Sequence, residues 1–146
     1  MEKIIIEKDN CNDVEQFVKF NLHKYNQKNC DYIRNNSSYA HNNTINGDFI
    51  IYDNNEIIGG ALGYIRWGWY QLTDFYIDEG YRGKGLGSEI IKKIEQFAKE
   101  NNAIGVKINS WSFQAPKFYQ KLGYIVWGQF EDCPPGTIHY YLYKKF

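Results

Sequence analysis

The segment Ile77-Asp78-Glu79-Gly80-Tyr81-Arg82-Gly83-Lys84-Gly85-Leu86-Gly87-Ser88 decides how this chain is read. It follows an apolar, strand-like stretch, Trp69 to Ile77, and precedes the clearest helical pattern in the sequence. In that pattern Leu86, Ile90, Ile91, Ile94, Phe97 and Ala98 recur on one face, which predicts a helix from about Leu86 to Glu100. Glycines between a strand and a helix let the backbone turn tightly and let a ligand come close. The first N–H groups of a helix have no partner inside it, and its dipole is positive at that end. An anion, such as a pyrophosphate, therefore suits the place. Arg82 and Lys84 add positive charge there.

Outward from this segment the chain carries no repeat and no low-complexity linker. Ile4-Ile5-Ile6 within Lys3–Glu7 reads as a short buried strand. Asn12 with Glu15 has the spacing of a capping box, and Val14, Phe17, Val18 and Leu22 follow at helical intervals. The polar stretch from Asn26 to Gly47 has room for a second short helix. Asp48–Tyr52 and Glu56–Tyr64 flank the turn signal Asp53-Asn54-Asn55 and read as a hairpin. After the main helix come a strand over Ile104–Asn109 and a short helix over Ala115–Leu122. Pro116 suits the first turn of that helix and Gly123 its C-terminal cap. Tyr124–Phe130 and Thr137–Tyr143 read as the last two strands. This order predicts one domain over residues 1–146, of α+β class, layered around a single sheet.

Composition narrows the function classes. Lys plus Arg and Asp plus Glu are 17 each, so the formal net charge is zero. Nucleic-acid binding, which favours a basic excess, is disfavoured. Aromatic residues make up 18% of the chain, with 4 Trp, 13 Tyr and 9 Phe. One small core cannot hold them all, so rings are expected at the surface or in a cleft. Cys11, Cys30 and Cys133 form an odd set without C-x-x-C, which fits free thiols in a reducing compartment. His23, His41 and His139 show no metal spacing, so no metal is expected. No apolar run reaches the ~20 residues of a membrane span, and Met1–Ile6 has no signal-peptide pattern. The expected location is the cytoplasm.

Three anion-binding patterns compete for the glycine-rich segment. The P-loop spacing is absent. The dinucleotide fingerprint fails, because Ser88 stands where its third glycine belongs and the next strand ends in Asn109 rather than an acid. R-x-x-G-x-G is met by Arg82, Gly85 and Gly87. This resembles the acyl-CoA pyrophosphate loop of the GNAT superfamily of N-acetyltransferases. Downstream, Ala115-Pro116-Lys117-Phe118-Tyr119-Gln120-Lys121-Leu122-Gly123-Tyr124 resembles that superfamily's A-x-x-F-Y-x-x-x-G-[FY] segment. The resemblance spans roughly residues 48–146. Leu72–Ile77 with the loop is similar to the polyamine acetyltransferase branch.

The resemblance implies a mixed, mostly antiparallel sheet flanked by helices, acetyl-CoA as co-substrate, and transfer to a primary amine of a small molecule by direct attack. It places pantetheine along the backbone of Phe75, Tyr76 and Ile77. It places the pyrophosphate on Arg82, Gly83, Lys84, Gly85, Leu86, Gly87 and Ser88. Phe118 is expected beside the cofactor, as is Ser112, which stands where many members have Asn. Tyr119 matches the tyrosine used as general acid, although packing beside Phe118 is the plain alternative. The branch's Glu-Asp pair is here Thr73-Asp74, so only Asp74 remains to take a proton through water or to attract a cationic amine. Tyr64, Trp67 and Trp69, with Tyr70, are expected on the acceptor side, where aromatic faces suit a cation. Trp111, Trp127 and Tyr141 are further candidates. Homodimerisation accords with the resemblance. A protein or aminoacyl-tRNA acceptor, or acyl-CoA binding without catalysis, are the alternatives.

Overall fold

The computed structural model describes residues 4–8, 12–37 and 44–146. The chain separates into two compact units, Met1–Asn43 and Thr44–Phe146. The first holds α1, Asn12–Asn29, and α2, Asp31–Asn36, the latter within the polar stretch expected to hold a short helix. Glu15 pairs with Lys19 one turn later rather than reaching back as a capping box would. Arg34 closes the α1–α2 junction by donating to the carbonyls of Gln27 and Lys28 and by pairing with Asp31. The strand expected at Ile4-Ile5-Ile6 does not form. These residues are irregular and 88, 66 and 96% exposed, and no described strand offers them a ladder partner. Lys3, Cys11 and His41 lie outside the described residues.

The second unit is built on one sheet. Its strands are β1 Ile45–Asn46, β2 Phe49–Asp53, β3 Glu56–Arg66, β4 Trp69–Ile77, β5 Gly105–Trp111, β6 Ile125–Glu131 and β7 Ile138–Lys145. Their order is β1-β3-β4-β5-β7-β6, with β2 also paired to β3. Every pairing is antiparallel except β4 with β5. The fold is α+β, a mostly antiparallel sheet flanked by helices. Asn54 and Asn55, at φ 46° and 71°, make the left-handed two-residue turn that the β2–β3 hairpin requires. Trp67 and Gly68, at φ 51° and 78°, do the same between β3 and β4.

Helix α3, Leu86–Glu100, follows the predicted bounds. Its buried face, Ile90, Ile91, Ile94 and Ala98, packs on Tyr70, Leu72, Val106, Ile108 and Leu142 of the sheet. Short α4, Pro116–Lys121, adds Tyr119 to the same core and ends at Gly123, φ 91°. Glu95 of α3 joins these pieces. It accepts from Lys144 of β7 at 2.9 Å and from the Tyr124 hydroxyl at 3.1 Å, while Lys144 also donates to the carbonyl of Leu122 at 3.0 Å.

Gly105 opens β5, between β4 and β7. A Cβ there would lie 2.2 Å from the Lys144 carbonyl oxygen and 2.7 Å from the Trp69 ring. Gly105→Ala is expected to destabilise the protein by about 1–3 kcal/mol, the usual range for overpacking. Chemical denaturation with a two-state fit checks this.

Candidate active site

The parallel ladder between β4 and β5 runs from Trp69↔Gly105 to Leu72↔Ile108 and stops. One residue later β4 carries a bulge. Leu62 of β3 opposes Asp74, whereas Gly63 opposes Leu72, so Thr73 is the extra residue. A bulge bends its strand and increases its twist. Here β4 keeps its partner β3 out to Ile77↔Gly59 but leaves β5. Among the described residues, the backbone edge of residues 73–77 that would face β5 therefore has no strand partner, and its last carbonyl, that of Ile77, accepts from Arg82 Nε at 2.7 Å. The Thr73 hydroxyl donates to the Leu62 carbonyl at 3.0 Å, tying the bulge to β3.

Between the diverging strands lies a cleft of about 900 Å³. One wall is Thr73–Ile77; the other is Asn109, Ser110 and Trp111. The glycine-rich turn and the start of α3 close one end. Phe113, Phe118 and Tyr119 close the other side. The turn suits an anion for several reasons. Gly83 and Gly85 have φ of 73° and 86°, and a Cβ on either would meet open space. Gly85 leads into α3 without a side-chain cap, and the first helical hydrogen bond is Glu89 N–H to the Gly85 carbonyl. The N–H groups of Leu86, Gly87 and Ser88 therefore precede any intrahelical donation. Arg82 donates through Nε to the Ile77 carbonyl at 2.7 Å and lies over the Tyr76 ring at 5.4 Å. Its guanidinium is thus fastened to the end of β4. These features fit a pyrophosphate. Gly87 matters differently: a Cβ there would come within 3.0 Å of the Phe118 ring.

The structure brings most of the expected site residues to this one cleft. Asp74, Phe75, Tyr76, Ile77, Arg82, Gly83, Gly85, Leu86, Gly87, Ser88, Phe118 and Tyr119 all line it. Lys84 does not; it is exposed, with its ammonium over the Tyr81 ring at 5.0 Å. Ser112 does not either. Its N–H donates to the Ile138 carbonyl and its hydroxyl accepts from the Ile138 N–H, which holds it on β7. Tyr64, Trp67 and Trp69 also lie outside the lining. Trp67 is a turn residue at the β3–β4 tip, and Trp69 packs edge-on against Tyr143. Five residues of strand, roughly 17 Å, separate Trp69 from Asp74. Tyr70 is fully buried and donates to the Gly47 carbonyl at 2.8 Å, so it belongs to the core. Of the further rings only Trp111 lines the cleft, stacked with Phe113 at 6.4 Å and with His139 at 4.2 Å.

The structure adds β5 to the site. Ser110 and Asn109 carry no motif. The available signal is alternation: Val106, Ile108 and Ser110 share the buried face of the strand, and the last is polar.

Comparison with known proteins agrees with this geometry. Residues 13–124 match the profile of the Acetyltransferase (GNAT) family. The chain belongs to the GNAT acetyltransferase family. It is an acyl-CoA-dependent N-acetyltransferase by that membership. The GNAT chain is similar to the blasticidin-S acetyltransferase of Streptomyces morookaense, 40% identical over 91 residues, which cover 62% of this chain and 67% of that protein. In fold it is similar to an acetyltransferase from Bacillus cereus, with a TM-score of 0.83 at 24% identity, covering 97% of this chain and 98% of that one. A Bacillus anthracis protein solved with acetyl coenzyme A has a TM-score of 0.64 at 26% identity, covering 69% of this chain and 63% of its own. Among the described residues no helix is long and apolar enough to cross a membrane, and no cluster of three metal-ligating side chains occurs. Cys30 and Cys133 are free thiols.

Tyr119 is 7% exposed, and burial pushes its phenol up to about 12. It packs edge-on against Phe118 and Tyr124. The folded state holds this proton more tightly than the unfolded chain, whose tyrosine titrates near the ordinary value of about 10. Above that value the unfolded state binds fewer protons, so stability falls as pH rises. Tyr119→Phe is expected to lessen the loss of stability between pH 10 and about 12. Denaturation midpoints of both proteins across that interval check the sign.

Proposed function

We propose that this protein transfers the acetyl group of acetyl-CoA to a primary amine of a small molecule, by direct attack in a ternary complex. The observation that carries the reading is the cleft itself. It combines a strand edge without a strand partner, a helix N-terminus without a side-chain cap at its end and a buried phenol in its wall. The edge formed by Phe75, Tyr76 and Ile77 would hold pantetheine as an added strand. The N–H groups of residues 82–88, with Arg82 fixed beside them, would hold the pyrophosphate. Gly87 lets Phe118 stand close to α3, and Phe75 and Phe118, 6.2 Å apart, would flank the pantetheine arm. Bound acetyl-CoA supplies an activated acyl group; the chain's residues orient it and handle protons.

Tyr119 is the proton donor in this reading. A phenol held protonated by burial stays available to a departing thiolate throughout the neutral range. Asp74 is exposed on the bulge and lines the cleft, where its carboxylate draws an ammonium and takes its proton through a water. Thr73 takes no proton here, because its hydroxyl is committed to Leu62. The stacked Trp111 and Phe113 replace Tyr64, Trp67 and Trp69 as the aromatic wall for the acceptor. The blasticidin-S relative supports a small-molecule acceptor rather than a protein or aminoacyl-tRNA. The reading treats residues 1–146 as one domain working in the cytoplasm, as a monomer or homodimer.

A thiol-release assay over polyamines, aminoglycosides, nucleoside antibiotics and amino acids tests it. Turnover of at least one small amine is expected. Labelling only of proteins or tRNA would move the acceptor to a macromolecule, and tight acetyl-CoA binding without turnover would make this a non-catalytic binder. With an accepted amine in hand, Tyr119→Phe is expected to lower kcat by about 100-fold with the KM for acetyl-CoA nearly unchanged. An unaltered kcat removes Tyr119 as the acid.

A further inference from the structure

The cleft wall contains a polar group that no motif predicted. Ser110 is 1% exposed, and its Oγ has no hydrogen-bond partner among the described residues. Its place is the apex of the cleft. Ile108 is the last residue of β5 to pair with β4, and Ser110 is the next residue on the same face. That face also carries Val106 and Ile108, which share the core with Tyr119. Ser110 and Tyr119 both line the cleft. Serine at this position is unexpected as packing: the two residues before it on that face are Val and Ile, and a hydroxyl buried without a partner is unfavourable. Among the described residues His139 Nε2 is also buried and unpaired, but His139 does not line the cleft.

We infer that Ser110 donates a hydrogen bond to the sulfur of the acyl-CoA bound in this cleft and stabilises the thiolate as it leaves. The inference rests on the acyl-CoA reading above. In the transfer, the amine nitrogen forms a C–N bond with the acyl carbon as the C–S bond breaks, and its electron pair passes to sulfur. The ammonium's protons go to water and bulk solvent on the Asp74 side, and the thiolate takes a proton from Tyr119, which is reprotonated from solvent. Ser110 gives up no proton. Its hydrogen bond strengthens as sulfur gains charge, so it acts on the transition state and product more than on bound acetyl-CoA. Two donors then face the leaving group: Tyr119, which transfers its proton, and Ser110, which holds its own.

The product complex offers a test that needs no acceptor. Bound CoA is titrated through its thiolate absorbance near neutral and mildly alkaline pH, in the unaltered protein and in Ser110→Ala. The affinity of each for desulfo-CoA, which lacks the sulfur, is measured by calorimetry. The expected result is a thiol in the variant titrating about one unit higher, a tenfold loss of thiolate stabilisation, with desulfo-CoA affinity unchanged. The thermal midpoint of the ligand-free variant is expected to be equal or higher, since no bond is lost. An unshifted thiol, an equal loss for desulfo-CoA, or a lower ligand-free midpoint overturns the inference. If the unaltered protein binds neither CoA nor desulfo-CoA, the acyl-CoA reading fails first and this inference with it.

Discussion

The end of hydrogen bonding between β4 and β5 after Leu72↔Ile108 is the constraint on which the rest of the site depends. Two parallel strands that stayed paired would fill the sheet and leave no cleft. The bulge at Thr73 turns β4 away while β3 holds it, so the strand stays ordered with one edge bare. An unpaired edge beside a packed core is normally a liability. Here the wall opposite it consists of Asn109, Ser110 and Trp111, with Phe118 and Tyr119 alongside, and a ligand pairing like a strand would relieve it.

Keeping that gap at a fixed width requires anchors on either side. α3 is held by its isoleucine face against the sheet, and its N-terminus is therefore aimed at the end of the cleft. α4 has only six residues and little helical stability of its own. It is fixed by Tyr119 in the core and by the junction of Glu95, Lys144, Tyr124 and the Leu122 carbonyl. The phenol of Tyr119 thus sits on a short element whose position is decided by long ones. The zero net charge of the chain is no obstacle to anion binding. An anion held on the glycine-rich turn would draw on backbone N–H groups at the start of α3 and on Arg82 rather than on a basic surface.

Much of this is legible in the sequence alone. The bounds of α3, the Asn54-Asn55 hairpin and strand β4 follow from periodicity and turn chemistry, which are local. The glycine-rich turn and the Phe118-Tyr119 segment were readable because both are contiguous motifs. Other readings missed for physical reasons. Ile4-Ile5-Ile6 is apolar enough for a strand, but a strand needs a neighbour, which composition does not supply. Tyr64, Trp67 and Trp69 looked like a binding cluster in sequence. Two-residue turning at Trp67-Gly68 instead puts them at the closed end of the β4–β5 pair.

The sequence by itself determined the element order from β2 onward, the glycine-rich turn, Tyr119 as the candidate phenol and the family resemblance. Each depends on neighbours within a dozen residues. Only the tertiary structure decided that β4 and β5 part at Thr73, that Ser112 is held on β7, and that Ser110 and Trp111 share a wall with Tyr119. Those facts depend on register between strands far apart in the sequence, such as Trp69 with Gly105 and Ser112 with Ile138. Register is set by which side chains the whole sheet can bury, so no single stretch of the chain contains it.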